Sequence, residues 1–198
     1  SSAASDVYKR HGNSPMGKKL AKEANDGTLT WKDLNKAKWG LESTSSAAGY
    51  MYPSQWLTDN FKHSIRDLKN TVTMDSYDSA MAQLASGQID VMPEYADARL
   101  DEATKWTTTF GAKGSIWDDT NVIGVTPAIA NDGIMVSEKS KIMTPEFKKA
   151  LSTAIKDMSK TAEGKKVIAI YSHDGYVDST KDDYKTAIKV ANEMSKAN

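Results

Sequence analysis

A run of four hydroxyl residues is the part of this sequence best suited to binding chemistry. It lies between a predicted strand, Ala37–Leu41, and a predicted helix, Ala47–Asp59. The run consists of Ser43, Thr44, Ser45 and Ser46. The first N–H groups of a helix lack internal partners and carry partial positive charge, and the small residues at 47–49 would let a compact oxyanion reach them. The pattern predicts a phosphate, phosphonate or sulfate site, although one of these hydroxyls could simply cap the helix.

Three acidic residues form a second group of candidates. Glu94 and Asp97 follow a predicted strand, Ile89–Met92, at the carboxyl end where α/β sheets present their ligand crevices. Asp132 lies in an Asn-Asp-Gly sequence at the start of a further predicted strand, Gly133–Ser137. If hydroxyls and carboxylates face one cleft, the ligand would carry an oxyanion at one end and an amine at the other. Asp97 could equally lie on a solvated helix face, and Asp132 could be a turn residue.

The surrounding pattern predicts an α/β fold. A helix around Tyr77–Ala85, ended by Gly87, separates two predicted strands, Thr71–Met74 and Ile89–Met92. Strand, helix and strand in this order favour parallel pairing through crossovers. Residues 1–36 are polar and interrupted by Gly and Pro, so no long element is expected there. Pro53 should bend the helix that follows the hydroxyl run. Further elements are predicted as a strand at 121–126 and helices from Thr144, over Ala162–Ile170 and over Asp182–Met194.

Composition excludes several classes of function. The 26 basic and 26 acidic residues balance, so no global field would attract nucleic acid. The absence of cysteine rules out disulfides and thiolate metal sites. His11, His63 and His173 show no metal-ligand spacing, and no Walker-type loop or serine nucleophile elbow is present. We therefore expect neither a cofactor nor an enzyme.

Four segments together resemble the phosphonate-type substrate-binding proteins of ABC importers. They occur in that family's order and at similar spacing: STSSAAGYMYP (43–53), SYDSAMAQLASGQIDV (76–91), IANDGIMV (129–136) and YSHDGYV (171–177). The resemblance implies an α/β fold of the periplasmic-binding-protein type, with two lobes of mostly parallel sheets flanked by helices. It also implies a small phosphonate or phosphate-like anion as ligand, an ABC permease in the membrane as partner, and no nucleic acid.

The resemblance also suggests individual roles. The hydroxyl turn before Gly49 and Tyr50 would grip the phosphonate oxygens, and Ser76 at the next helix start would contact the same anion. Asp97, with Glu94 nearby, and Asp132 would bind a ligand amine.

The family's first lobe is incomplete in this sequence. The expected organisation is a polar segment over 1–32, the second lobe over 33–121, and the returning strand and C-terminal helices of the first lobe over 122–198. We expect a fragment, a companion N-terminal segment, or association with a second copy. The location would be extracytoplasmic, periplasmic or lipid-anchored, with any secretory signal removed or outside this sequence. A ligand-sensing domain of a regulator and a phosphate-ester-binding enzyme are the alternatives.

Overall fold

The computed structural model describes residues 5–10, 14–171 and 173–196, which form two compact units. One unit combines the described residues up to Asn131 with those from Lys185 onward, and the other comprises Asp132–Tyr184. His11 lies outside the described residues. The predicted division into 1–32, 33–121 and 122–198 remains a prediction.

The first unit is built on a five-stranded sheet with strand order β3-β2-β4-β1-β5. Its strands are β1 (Ser5–Arg10), β2 (Trp39–Leu41), β3 (Thr71–Thr73), β4 (Val91–Tyr95) and β5 (Thr120–Val125). Strand β2 pairs in parallel with β3 and β4, whereas β1 pairs antiparallel with both β4 and β5. Four strands therefore run in one direction and β1 runs against them. This arrangement confirms the predicted α/β class with a mostly parallel sheet.

The prediction that residues 1–36 contain no long element was wrong, because this segment forms a strand and a helix. Strand β1 lies inside the sheet, and helix α1 (Pro15–Asn25) follows it. Ser14 caps α1 by accepting a hydrogen bond from the N–H of Gly17 at 3.2 Å, and Pro15 occupies a position that tolerates proline. The prediction was wrong because it treated these residues as breakers, although Ser-Pro is a helix start signal.

Helices cover both faces of this sheet. Leu20 of α1 and Leu57 of α3 belong to one buried apolar cluster, whereas Met81 of α4 and Trp106 of α5 belong to another. The helices of this unit are α1, α2 (Trp31–Leu34), α3 (Tyr52–Phe61), α4 (Tyr77–Ser86), α5 (Arg99–Thr108), α6 (Ile116–Asp119) and α9 (Lys185–Lys196), with a π-helical turn at Ala47–Met51 and a 3₁₀ turn at Ile65–Asp67.

Local start and stop signals were read correctly from the sequence. Helix α4 ends at Gly87, whose φ of 77° is a left-handed conformation that glycine adopts without a steric penalty. Helix α7 begins at Pro145 after Thr144, whose hydroxyl accepts a hydrogen bond from the N–H of Phe147 at 3.2 Å. The spacing of Tyr184, Ile188 and Ala191 predicts that these residues form the inward face of α9, and this prediction was wrong: Val190 is buried, whereas Ile188 is 38% exposed.

The second unit contains two helices, α7 (Pro145–Met158) and α8 (Ala162–Ile168), and 3₁₀ turns at Ala169–Tyr171 and Lys181–Tyr184. The strand predicted at Gly133–Ser137 is absent: these residues have no regular structure and pair with none of the described strands. Ile168 is the only described residue of this unit that is buried. Its exposed large apolar residues are Ile134, Met135, Ile142, Phe147, Val167, Ile170, Tyr171 and Val177. Among the described residues, no helix combines the length and apolar character needed to cross a bilayer.

Candidate functional site

The hydroxyl run does lie between a strand and a helix start, but its four members are not equivalent. Ser46 caps the helix: its Oγ accepts a hydrogen bond from the N–H of Gly49 at 3.0 Å. Ser43 and Ser45 are exposed, with their Oγ atoms 3.1 Å apart, and Thr44 is exposed as well. The helix that begins at Ala47 therefore has one hydroxyl at its cap, and the other three precede it.

The first helical turn after Ser46 is π-helical rather than α-helical. The N–H of Met51 donates to the carbonyl of Ser46 at 3.0 Å, and α3 continues from Tyr52. Pro53 was predicted to bend the interior of this helix. It instead occupies the first turn of α3, directly after the change from π to α geometry, where a missing N–H is tolerated.

Glu42 lies beneath the π-helical turn. A methyl group added to Gly49 would collide with Cβ and Cγ of Glu42, so the close approach of these two residues requires glycine. The Oε1 atom of Glu42 is buried without a hydrogen-bond partner among the described residues. Burial, together with the nearby charge of Asp75, raises the pKa of Glu42.

A second helix start lies beside the first. Ser76, one of the predicted site residues, caps α4 by accepting a hydrogen bond from the N–H of Ser79 at 3.2 Å. The hydroxyl of the next residue, Tyr77, lies 3.3 Å from Oγ of Ser46. The Tyr77 side chain at the start of α4 thus reaches the capping hydroxyl of the other helix start.

Glu94 is the most buried acidic residue of the structure's described part. It lies within β4, which is shifted toward the C-terminus from the predicted strand, and it has 0% exposure. Neither carboxyl oxygen has a hydrogen-bond partner among the described residues. Burial, reinforced by the charges of Glu102 and Glu42, raises the pKa of Glu94 to about 8. At neutral pH Glu94 is therefore mostly a neutral acid rather than a carboxylate.

Asp97 is held in an ion pair rather than left available. Its Oδ2 accepts from Nη2 of Arg99 at 2.7 Å, and its Oδ1 accepts from Nε at 2.9 Å. The guanidinium carbon of Arg99 lies 4.7 Å from the centre of the Trp117 ring. This two-point pairing neutralises the Asp97 carboxylate, so a ligand amine would have to compete with Arg99 for it.

The remaining predicted residues are placed differently. Tyr50 belongs mainly to the buried apolar core, with 9% exposure. Together with Glu42 and Thr44 it lines a cavity of about 230 Å³ next to the hydroxyl run, which Arg66 and Thr73 also border. Asp132 is exposed and belongs to the second compact unit.

Sequence reasoning missed Glu42, Tyr77 and Arg99 as members of this region. Tyr77 was assigned only to the predicted helix around Tyr77–Ala85, although its position directly after the Ser76 cap also places it at the start of that helix. Glu42 gave a usable signal, because it stands between β2 and the hydroxyl run. No signal in the sequence indicated that Arg99 would pair with Asp97.

Comparison with known proteins gives a consistent result. Residues 8–184 match the family described as ABC transporter, phosphonate, periplasmic substrate-binding protein. No curated protein matches the sequence. A binding-protein component of an ABC phosphonate transporter from Pseudomonas aeruginosa has a similar fold, with 16% identity and a TM-score of 0.60; the match covers 98% of this chain and 58% of that one.

Two further solved structures show the same fold. PhnD1 from Prochlorococcus marinus, in complex with methylphosphonate, has 15% identity and a TM-score of 0.64, with 98% of this chain and 68% of that chain covered. A protein from Xanthomonas citri bound to ATP has 13% identity and a TM-score of 0.68, with coverage of 98% and 66%. This chain thus spans about three fifths to two thirds of the length of these proteins. With a family match over residues 8–184, the chain belongs to the phosphonate periplasmic substrate-binding proteins of ABC transporters.

Proposed function

We propose that this chain is the solute-binding component of an ABC importer and that it binds a small phosphonate or a related phosphorus oxyanion. The observation that carries the proposal is the meeting of two capped helix starts, with the Ser46 and Tyr77 hydroxyls 3.3 Å apart at the carboxyl edge of the sheet. Ligands of open α/β sheets bind at this edge, and helix starts favour anions. The methylphosphonate complex of PhnD1 from Prochlorococcus marinus supports the same ligand class.

The proposed ligand contacts follow from the geometry. The N–H groups of Ala47 and Ala48 and those at the start of α4 would donate to the oxyanion, with the hydroxyls of Ser46 and Ser76 on either side of it; the Gly49 N–H is already bonded to Ser46. Ser43, Thr44 and Ser45, just before the helix, would contact its outer oxygens. If the ligand carries an amine, Asp97 would have to exchange Arg99 for it, because the two are already paired; the amine-binding role of Asp132 stays a prediction.

Family membership favours transport over the two alternatives. The family is a solute-binding component of transporters and not a class of enzymes. We propose an extracytoplasmic location, periplasmic or lipid-anchored, and a membrane permease as the partner that receives the ligand.

Calorimetric titration with 2-aminoethylphosphonate, methylphosphonate, phosphate and sulfate tests the proposal. Saturable binding of at least one phosphorus oxyanion is expected. Ser46→Ala should weaken every such ligand, because the variant loses the helix cap and a donor at the site. Ser86→Ala, at the opposite end of α4, is the matched control and should bind like wild type. Absence of saturable binding to the wild-type protein would refute the proposal.

We also propose that further protein covers the apolar side chains of the second unit. Met135, Val177 and Ile170 are 92%, 88% and 77% exposed, which is unusual for such residues in a stable domain. A companion N-terminal segment or a second copy of the chain would bury them. Light scattering on the isolated chain tests this: a mass equal to that of a compact monomer would count against self-association.

A further inference from the structure

Glu94 lies on the strand that adjoins the proposed anion site. Strand β4, which carries it, contacts the π-helical turn 47–51 directly. Tyr77 connects the two regions: its hydroxyl contacts Ser46, and its ring packs edge-on against Tyr95, with ring centres 5.9 Å apart. Glu94 is fully buried and both of its carboxyl oxygens lack a partner among the described residues. A buried polar group without a partner is rare in a folded protein and calls for an explanation.

The surroundings of Glu94 are strongly acidic. Strand β2 ends next to Glu42, α4 contributes Asp78, and α5 contributes Glu102 with Lys105. Lys105 is engaged by Glu102 and Asp78, each at 3.2 Å. Strand β1 pairs the backbone of Asp6 with that of Glu94. Tyr77 and Tyr95 complete the set of titratable groups around it.

An ionised Glu94 in this setting would repel an anion, whereas a protonated one can donate a hydrogen bond to it. A carboxylic acid has one O–H donor, and a charge-assisted hydrogen bond to an oxyanion is among the stronger ones in proteins. The missing partner of Glu94 is therefore best supplied by an oxygen of the bound anion.

We propose that Glu94 binds the oxyanion as a neutral acid and donates its proton in a hydrogen bond to the ligand. A protein in which Glu94 is ionised must therefore take up one proton when the ligand binds. The inference rests on the proposed function, because it concerns the same anion site. No covalent bond changes: the proton stays between the Glu94 carboxyl and an oxygen of the ligand. Oxyanion binding by this protein should accordingly be coupled to pH.

Glu94→Gln is the decisive variant, because its amide can donate a hydrogen bond but cannot ionise. The affinity for methylphosphonate is measured by calorimetry from about pH 6 to pH 10, around the pKa of about 8. Ionisation of the ligand affects both proteins equally, so the ratio of their affinities isolates Glu94. We expect the ratio to be near one below pH 7, and wild-type affinity to fall about tenfold per pH unit relative to the variant above pH 8.

Two further variants give the test its controls. Glu94→Leu removes the donor and should weaken methylphosphonate at pH 7 on the order of 10- to 100-fold. Asp118→Asn, on the exposed surface of α6, should keep the wild-type pH profile. If Glu94→Gln fails to fold, wild-type protein titrated in two buffers of different ionisation enthalpy should still take up about one proton per ligand above pH 8; no uptake would overturn the inference.

The possible failures are distinguishable. Parallel pH profiles for wild type and Glu94→Gln, with ligand bound by both, would overturn this inference and leave the proposed function intact. An affinity for 2-aminoethylphosphonate that rises with pH in wild type alone would also overturn it, because Glu94 would then act as a carboxylate toward the ligand amine. No oxyanion binding by wild type at any pH would overturn the proposed function and this inference together.

Discussion

Replacing Glu94 with glutamine should make the unliganded protein increasingly stable relative to the wild type as the pH rises from about 4.5 to about 8. The raised pKa of Glu94 means that the folded state keeps a proton that the unfolded state loses once the pH exceeds its ordinary value of 4.5. Stability of the wild type must therefore decline as the pH rises from about 4.5 to about 8, and level off above the folded-state pKa. At about 1.36 kcal/mol per pKa unit, the whole decline is roughly 5 kcal/mol, and about 3 kcal/mol of it is reached by pH 7.

Glu94→Gln lacks this proton linkage, so its stability relative to the wild type should increase over the same pH range. Urea unfolding at about pH 5, 7 and 8.5, followed by tryptophan fluorescence, measures the difference; all five tryptophans lie in the same compact unit as Glu94. A few kcal/mol is a large part of the 5–15 kcal/mol typical of a domain and is easily resolved. Asp118→Asn, which is exposed, should show no such trend. A stability difference between Glu94→Gln and wild type that does not change with pH would refute the reasoning.

Three further predictions concern the frame around the site. Gly87→Ala should lower the free energy of unfolding by about 1 kcal/mol, measured by urea unfolding, because its φ of 77° is unfavourable for a residue with a side chain; Ala82→Gly, inside the same helix, is the comparison for the loss of helix propensity. Asp33→Asn should lower the free energy of unfolding at pH 7 and have less effect near pH 2. The reason is that the hydrogen bond from Lys19, at 2.5 Å, lowers the pKa of Asp33 to about 2, and its stabilisation is lost as the pH falls from 3.8 toward 2. Equal effects of the substitution at both pH values would contradict this prediction. Gly164→Ala should disrupt the junction of α7 and α8, because the added methyl would collide with the carbonyl of Met158. We expect a protease to cleave the variant at this junction faster than it cleaves the wild-type protein.

The elements that position the site were predictable because their signals are local. Ser46, Ser76 and Gly87 act through hydrogen bonds or backbone conformations within a few residues of themselves, so the sequence alone indicates where two helices begin and one ends. The parallel direction of β3 and β4 followed from the order of strand, helix and strand along the chain, although β2 lies between them in the sheet. These features needed no knowledge of distant contacts.

The features that were missed depend on residues far apart in the sequence. Strand β1 is held by β4 and β5, which lie some eighty residues or more further along, and its own composition is that of a polar segment. The burial of Glu94 likewise depends on Glu42 and on α5, and an acidic residue in a sequence gives no sign of being buried. Helix α9 gives the opposite case: the spacing of its apolar residues predicted that Ile188 is buried, but Ile188 is exposed in the structure.

The two helix starts and the buried acids Glu42 and Glu94 have opposite effects on a bound anion, so their energies must be compared. Helix starts contribute at most about 2 kcal/mol toward holding an anion. A single carboxylate about 4 Å from that anion would oppose it by about 4 kcal/mol at an effective dielectric constant of 20. With Glu42 and Glu94 both ionised beneath the turn, the site would therefore reject the ligand class that its helix starts favour. Burial reduces the conflict, because it raises the pKa of both acids. Glu94, whose pKa is raised to about 8, is mostly neutral at pH 7 and can then donate a hydrogen bond.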